Sequence, residues 1–170
     1  MTTYLLDTNV LSYFLRTGNE DQLAECASTI GLATVGQVRD ELAGAPGVGR
    51  RYQTWLAATR IEVIDIVLGS PEHALLAQLQ LGVTTNRGRG ERECIAVAAL
   101  RWDLVFVAND KNAMWLALRE LHAPGERLLG LAVFLRRLVE AGLSPAVAND
   151  VLSAAGMAPP TWWQEVMAGR

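Results

Sequence analysis

The segment YLLDTNVLSYFLR, residues 4–16, decides the predicted fold. Its first residues are apolar, and they give a short strand over residues 3–6. Asp-Thr-Asn follows at 7–9, and all three residue types favour the N-terminal cap of a helix. Residues 10–15 then carry apolar side chains at helical spacing. We therefore predict a strand that turns directly into a helix at Asp7.

Strand patterns alternate with helical patterns along the rest of the chain. We predict further strands at residues 30–34, 61–66 and 104–108. We predict helices at residues 20–29, 35–43, 50–59, from 71 onward, 91–102, 111–121, 127–141 and 145–155. Such alternation is typical of an α/β protein with a parallel sheet covered by helices on both faces.

Composition fits one folded domain. The chain has 170 residues, of which 51% are apolar and 19% are charged, so it can bury a proper core. No apolar run reaches the roughly 18–20 residues that cross a bilayer, and no basic and apolar leader opens the sequence. We therefore expect a cytoplasmic protein with no membrane partner. Cys26 and Cys94 lack zinc or disulfide spacing and are expected to be small core residues.

Carboxylates stand at the places where a parallel sheet binds ligands. Asp7 and Asp110 each follow a predicted strand, and ligands bind beyond the carboxyl ends of such strands. Glu41 lies on the helix after the second strand, and Glu91 and Glu93 open an apolar helix. Converging carboxylates repel each other, and a divalent cation such as Mg²⁺ or Mn²⁺ relieves that repulsion.

Each acid also has a simpler interpretation. Asp7 and Asp110 are good helix caps, and Glu91 suits the positive end of a helix dipole. Glu41 taken alone is typical of a solvated helix residue. The joint order of the acids and their position at strand ends favour the metal site.

Four motifs in order resemble a known family. They are LLDTNVL, the V-x-x-E of VRDEL, GERECIAVAAL and VFVAND, and they span residues 4 to about 118. Together they resemble a PIN-domain ribonuclease, of the VapC-like kind that is the toxin of type II toxin–antitoxin pairs. The resemblance implies a three-layer α/β/α sandwich with a Rossmann-like parallel sheet and additional C-terminal helices. It also implies an Mg²⁺ or Mn²⁺ cofactor, cleavage of single-stranded RNA, a small antitoxin partner and a homodimer.

This resemblance divides the chain and assigns its acids. Residues 1–125 become a PIN-like nuclease domain, and residues 126–170 become a C-terminal helical extension of the same domain. The predicted catalytic and metal-binding residues are Asp7, Glu41, Glu93 and Asp110. Side chains two apart on a helix point about 200° apart, so Glu91 and Glu93 cannot both face the metal. Glu93 is preferred because similar sequences with GE-x-E-A-I-A use the second acid.

Polar neighbours complete the predicted site. Thr8 and Asn9 are expected to orient Asp7 from outside the ligand set. RNA phosphates are expected to bind basic residues in and after the loop at 84–90 and beside Asp110, namely Arg87, Arg89, Arg92 and Lys111. An equally open interpretation treats these basic residues as a solvated surface. The sequence departs from the family at Ala108, where Thr or Ser is usual.

Three alternative functions remain. The chain could be a catalytically inactive binding module with the same fold, or a PIN nuclease that processes RNA or DNA without being a toxin. A phosphatase with an aspartyl nucleophile is disfavoured, because that chemistry wants a second Asp where Asn9 stands.

Overall fold

A computed structural model describes residues 2–85 and 87–168. Asn86, inside the predicted loop at 84–90, lies outside the described residues, as do Met1 and the last two residues. Within the described part, five strands form one sheet: β1 (Thr3–Leu6), β2 (Gly31–Val35), β3 (Glu62–Ile64), β4 (Leu104–Ala108) and β5 (Leu128–Gly130). Their order across the sheet is β3-β2-β1-β4-β5, and every neighbouring pair is parallel.

Helices connect the strands. In the described ranges they are α1 (Thr8–Thr17), α2 (Glu20–Cys26), α3 (Gly36–Ala43), α4 (Gly49–Ala58), α5 (Pro71–Gln80), α6 (Arg89–Leu100), α7 (Lys111–Glu120), α8 (Pro124–Arg127), α9 (Leu131–Glu140), α10 (Pro145–Ala154) and α11 (Trp163–Met167). Helix α6 packs against β1, β2 and β4 with α5 and α7 beside it, while α1 and α9 contact β4 with α10 beside them. The predicted α/β fold with a Rossmann-like sheet and three layers is confirmed.

Local capping explains where several helices begin. The Asp7 carboxylate accepts a hydrogen bond from the backbone N–H of Val10, and Ser70 accepts one from His73. Pro71 occupies the first turn of α5, where its missing N–H costs nothing. These signals depend only on neighbouring residues, which is why the sequence predicted these starts correctly.

The C-terminal part contains a strand that the sequence analysis missed. The predicted helix at 127–141 begins only at Leu131, because residues 128–130 form β5 instead. Strand β5 pairs with β4 through Phe106 and Leu128 and through Ala108 and Gly130. The segment predicted as a purely helical extension therefore supplies an edge strand of the sheet.

One continuous core joins both predicted parts of the chain. Leu5, Phe14 and Phe106 of the first part and Phe134 and Trp163 of the second are all buried in the same apolar cluster. Both cysteines are also buried, as predicted. Among the described residues, no helix is long and apolar enough to span a membrane.

Candidate metal centre

The sheet order creates a crevice between β1 and β4. From β1 the chain continues to β2 on one side, whereas β4 leads to β5 on the other side. Leu6 of β1 pairs with Val107 of β4, so both strands end together. Asp7 follows β1 directly and Asp110 follows β4 after one residue. Both acids therefore lie at a topological switch point, where open α/β sheets bind ligands.

Asp7 is the most deeply buried acid of this crevice. It is 0% exposed, and its Oδ1 accepts the Val10 backbone N–H at 2.8 Å. Its Oδ2 is buried with no hydrogen-bond partner among the described residues. The pKa of Asp7 is raised to about 7, mainly by burial and also by the charges of Glu91 and Asp110, against the backbone N–H groups of Val10 and Asn9. One Asp7 oxygen thus caps α1 and the other is left free.

Asp110 has a similar arrangement at the end of β4. Its Oδ1 accepts the backbone N–H groups of Asn112 at 2.8 Å and Ala113 at 3.1 Å. The simple interpretation of both aspartates as helix caps is therefore correct for one oxygen of each. It leaves the second oxygens of Asp7 and Asp110 available to a ligand.

Glu41 is held by three donors from three helices. Its Oε1 accepts the Gly90 backbone N–H at 2.9 Å and the Gln37 side-chain amide at 3.4 Å. Its Oε2 accepts the Thr8 hydroxyl at 2.5 Å. A carboxylate offers about four acceptor positions, so one remains open. Glu41 is thus fixed in place rather than solvated.

Gly90 makes this contact possible. A Cβ at this position would lie 2.9 Å from Glu41 Oε2 and 2.9 Å from Val38 Cγ2. The start of α6 can therefore approach α3 only because residue 90 has no side chain. Neither Gln37 nor Gly90 was predicted to be a site residue; the glycine directly before Glu91 was the available signal.

Glu91 belongs to the same group of charges. Its carboxylate accepts the Asn9 side-chain amide at 3.4 Å. Burial raises the pKa of Glu91, and the charges of Asp110 and Glu41 raise it further, while Arg92 and Arg87 oppose them. Asp7, Glu41, Glu91 and Asp110 therefore form one cluster of interacting carboxylates, which we call the acidic crevice.

Glu93 lies on another side of α6, as the 200° separation requires. It is buried, and its Oε1 accepts the backbone N–H of Gln37 at 3.2 Å. Burial raises the pKa of Glu93, the Gln37 N–H and the charge of Arg89 lower it, and the charges of Asp65 and Asp40 raise it. This placement disagrees with the preference for Glu93 over Glu91 as the fourth metal-site acid.

Thr8 and Asn9 act on different partners from those predicted. Their side chains contact Glu41 and Glu91, respectively, and not the Asp7 carboxylate. Asn9 acts on Asp7 through its backbone N–H instead. Both residues still support acids of the crevice from outside, because they directly follow the capping aspartate in sequence.

The four basic residues predicted to bind RNA differ in their exposure and in the acids on which their charges act. Arg87, Arg89 and Lys111 are exposed, whereas Arg92 is half-buried and donates to the Arg87 carbonyl at 3.0 Å. Arg87 and Arg92 act electrostatically on Glu91, whereas Arg89 acts on Glu93. Arg87, Arg92 and Lys111 therefore remain candidates for phosphate binding at the crevice, and Arg89 belongs to its neighbourhood on the β3 side.

The crevice suits a hard divalent cation by its chemistry. Carboxylate oxygens are the donors that Mg²⁺ and Mn²⁺ prefer. Asp7 Oδ2, which is buried and accepts no hydrogen bond from residues 2–85 and 87–168, supplies a free ligand oxygen. Within residues 2–85 and 87–168, no group of three or more His, Cys, Asp or Glu side chains is already arranged to hold a metal ion. The fit therefore rests on donor type and on the free oxygen of Asp7.

Comparisons of the chain with protein-family models, with curated proteins and with solved structures gave no match. The fold and the acidic crevice are therefore the basis for the functional argument.

Proposed function

We propose that this chain is an endoribonuclease that needs Mg²⁺ or Mn²⁺ and hydrolyses phosphodiester bonds of single-stranded RNA. The observation that carries the proposal is Asp7 Oδ2, a buried carboxylate oxygen to which no described residue donates a hydrogen bond, in a crevice shared with Glu91 and Asp110. An unpaired buried carboxylate is costly, and a bound cation would remove that cost. The resemblance of LLDTNVL and VFVAND to PIN-domain nucleases supports the RNA substrate.

In the proposed site, the bound cation and the acids of the crevice have separate roles. A bound Mg²⁺ or Mn²⁺ supplies a water of lowered pKa and neutralises charge on the phosphate. Asp7, Glu91 and Asp110 would hold the cation, with Glu41 fixed beside them by Thr8 and Gly90. We thus propose Glu91 rather than Glu93 as the fourth acid.

Basic residues at the rim would bind the RNA backbone. Arg87 and Arg92 precede and follow the start of α6, close enough to act on Glu91. Lys111 follows Asp110 directly and is exposed. These side chains would hold the phosphates that flank the cleaved bond.

A cleavage assay tests the proposal with a matched pair of variants. Purified protein is incubated with end-labelled single-stranded RNA in Mg²⁺, in Mn²⁺ and in EDTA. Asp7→Asn removes one acid of the crevice. Asp103→Asn makes the same chemical change at the opposite end of β4, where Asp103 is exposed and pairs with Arg101 at 3.2 Å.

We expect cation-dependent cleavage by the unchanged protein and by Asp103→Asn. Asp7→Asn should lose at least ~100-fold in rate, because losing even an outer partner of a metal site costs about 10- to 100-fold. Equal cleavage by Asp7→Asn and the unchanged protein, or undiminished cleavage in EDTA, would contradict the proposal.

The same resemblance supports a biological role for the nuclease. In that role the chain would be the toxin of a toxin–antitoxin pair, would bind a small antitoxin protein and would form a homodimer. A short open reading frame directly upstream, whose product binds this chain and suppresses cleavage, is the expected finding. Sedimentation of the purified chain at the mass of a monomer would contradict the homodimer.

A further inference from the structure

A second cavity lies beside the acidic crevice, on the β3 side. It measures about 230 Å³ and lies between the start of α3, the residues after β3, and helices α5 and α6. Gln37, Asp65, His73, Arg89 and Glu93 line it, and we call it the Glu93 cavity. Pockets for drug-sized ligands have volumes of roughly 300–1,000 Å³, so this one suits a single smaller group.

Glu93 is the buried acceptor of this cavity. Only 8% of the residue is exposed, and its Oε1 accepts the Gln37 backbone N–H at 3.2 Å. Its Oε2 accepts no hydrogen bond from the described residues and is not sealed from solvent, so it is open to the cavity that Glu93 lines. A largely buried carboxylate with one open oxygen can accept hydrogen bonds from a ligand that enters the cavity.

Gln37 connects the two sites. Its backbone N–H binds Glu93, while its side-chain amide binds Glu41 of the acidic crevice at 3.4 Å. A ligand group in the Glu93 cavity is therefore separated from the crevice by a single residue. If the crevice holds the phosphate to be cleaved, the group in the cavity belongs to an adjacent nucleotide.

We propose that the Glu93 cavity receives one unpaired guanine base of the RNA substrate. Sequence-specific RNA recognition uses splayed, single-stranded bases read on their hydrogen-bonding edges. Guanine presents two neighbouring donors, N1–H and N2–H₂, to a carboxylate, and it presents O6 and N7 to an arginine. Glu93 supplies the carboxylate and the exposed Arg89 supplies the guanidinium. This inference rests on the proposed nuclease function, because it assigns part of that substrate.

Binding measured without metal tests the inference separately from cleavage. Four fluorescent RNA heptamers, identical except for G, A, C or U at the centre and otherwise made of A, are titrated in EDTA. We expect the G heptamer to bind about 5- to 100-fold more tightly than the A heptamer, the range that one good bidentate base contact supplies. Glu93→Gln should reduce this advantage to less than two-fold. Glu25→Gln, an exposed change on α2, should leave it intact.

Two further readouts keep the test decisive. If Glu93→Gln unfolds at a lower temperature than the unchanged protein, Arg89→Gln replaces it, and this exposed variant should lower the guanine advantage several-fold. Equal affinity for all four heptamers, or an advantage that survives both substitutions, would overturn the inference. Failure of cation-dependent cleavage would overturn the proposed function alone, because the heptamer titration needs neither metal nor turnover.

Discussion

Replacing Asp7 by Asn should stabilise the metal-free protein at alkaline pH. The amide oxygen of Asn can still accept the Val10 N–H, which the carboxylate accepts at 2.8 Å. The substitution therefore keeps the cap of α1, since Asn and Asp are comparable helix caps. It removes the buried charge and puts an uncharged amide nitrogen in the place of Oδ2, so the pH dependence of the stability difference should report the charge.

The magnitude follows from the pKa of Asp7. Burial raises this pKa from 3.8 to about 7 in the folded state, while the unfolded chain keeps the ordinary value. Between these values the unfolded state binds fewer protons than the folded state, so stability falls as pH rises. At about 1.4 kcal/mol per pH unit, the penalty is about 2 kcal/mol at pH 5 and about 4 kcal/mol at pH 8. It is essentially absent below pH 3.8.

Urea unfolding in EDTA at pH 5 and pH 8 measures this penalty. Asp7→Asn should exceed the unchanged protein in free energy of unfolding at pH 8, and the difference between the two proteins should grow by about 2–3 kcal/mol from pH 5 to pH 8. Asp103→Asn should show no such growth, since Asp103 is exposed. An unchanged protein that is as stable as Asp7→Asn at pH 8 would refute the claim that the Asp7 charge is buried without a partner.

The remaining predictions concern the two sides of α6. Glu91→Gln should reduce cation-dependent cleavage at least ~10-fold more than Glu93→Gln does, measured as initial rates at saturating Mg²⁺; a larger loss in Glu93→Gln would restore the sequence-based choice. Gly90→Ala should lower the free energy of unfolding by about 1–3 kcal/mol in thermal or urea melts, because the new methyl group would lie 2.9 Å from Glu41 Oε2. A neutral Gly90→Ala would mean that α6 can shift freely from α3.

The sequence predicted the parts of the fold that depend on neighbouring residues. The turn from β1 into α1 at Asp7 has an apolar strand, a capping residue and a helical pattern in a single stretch, and the same holds at Asp110. Strand β5 could not be predicted in this way. Residues 128–130 sit in the apolar run LLGLAVFL, and their strand character comes from pairing with β4, which lies about twenty residues earlier in the chain.

The choice between Glu91 and Glu93 shows the same limit within the site. Both are acids on the first turns of α6, and the sequence establishes only that they point in different directions. Which one faces Asp7 depends on the rotation of α6 about its axis. The contact between the Gly90 backbone and Glu41 fixes that rotation, and it joins residues far apart in sequence. Gln37 was missed for a related reason, since a neutral amide carries no charge signal.

From the sequence, helix cap and metal ligand were alternative roles for Asp7. In the structure the two roles are compatible, because they use different oxygens of its carboxylate. A strand-to-helix turn needs one acceptor for the first free N–H groups of the helix, and a carboxylate has two oxygens. Ser70 caps α5 with its single side-chain oxygen and so has no second oxygen for a ligand. Asp7 uses Oδ1 in the same way and retains Oδ2, which is buried and has no partner in the described part of the chain, while the charges of Glu91 and Asp110 act on the same carboxylate. The cap fixes the carboxylate, and a carboxylate fixed by one oxygen presents the other to a cation in a single orientation.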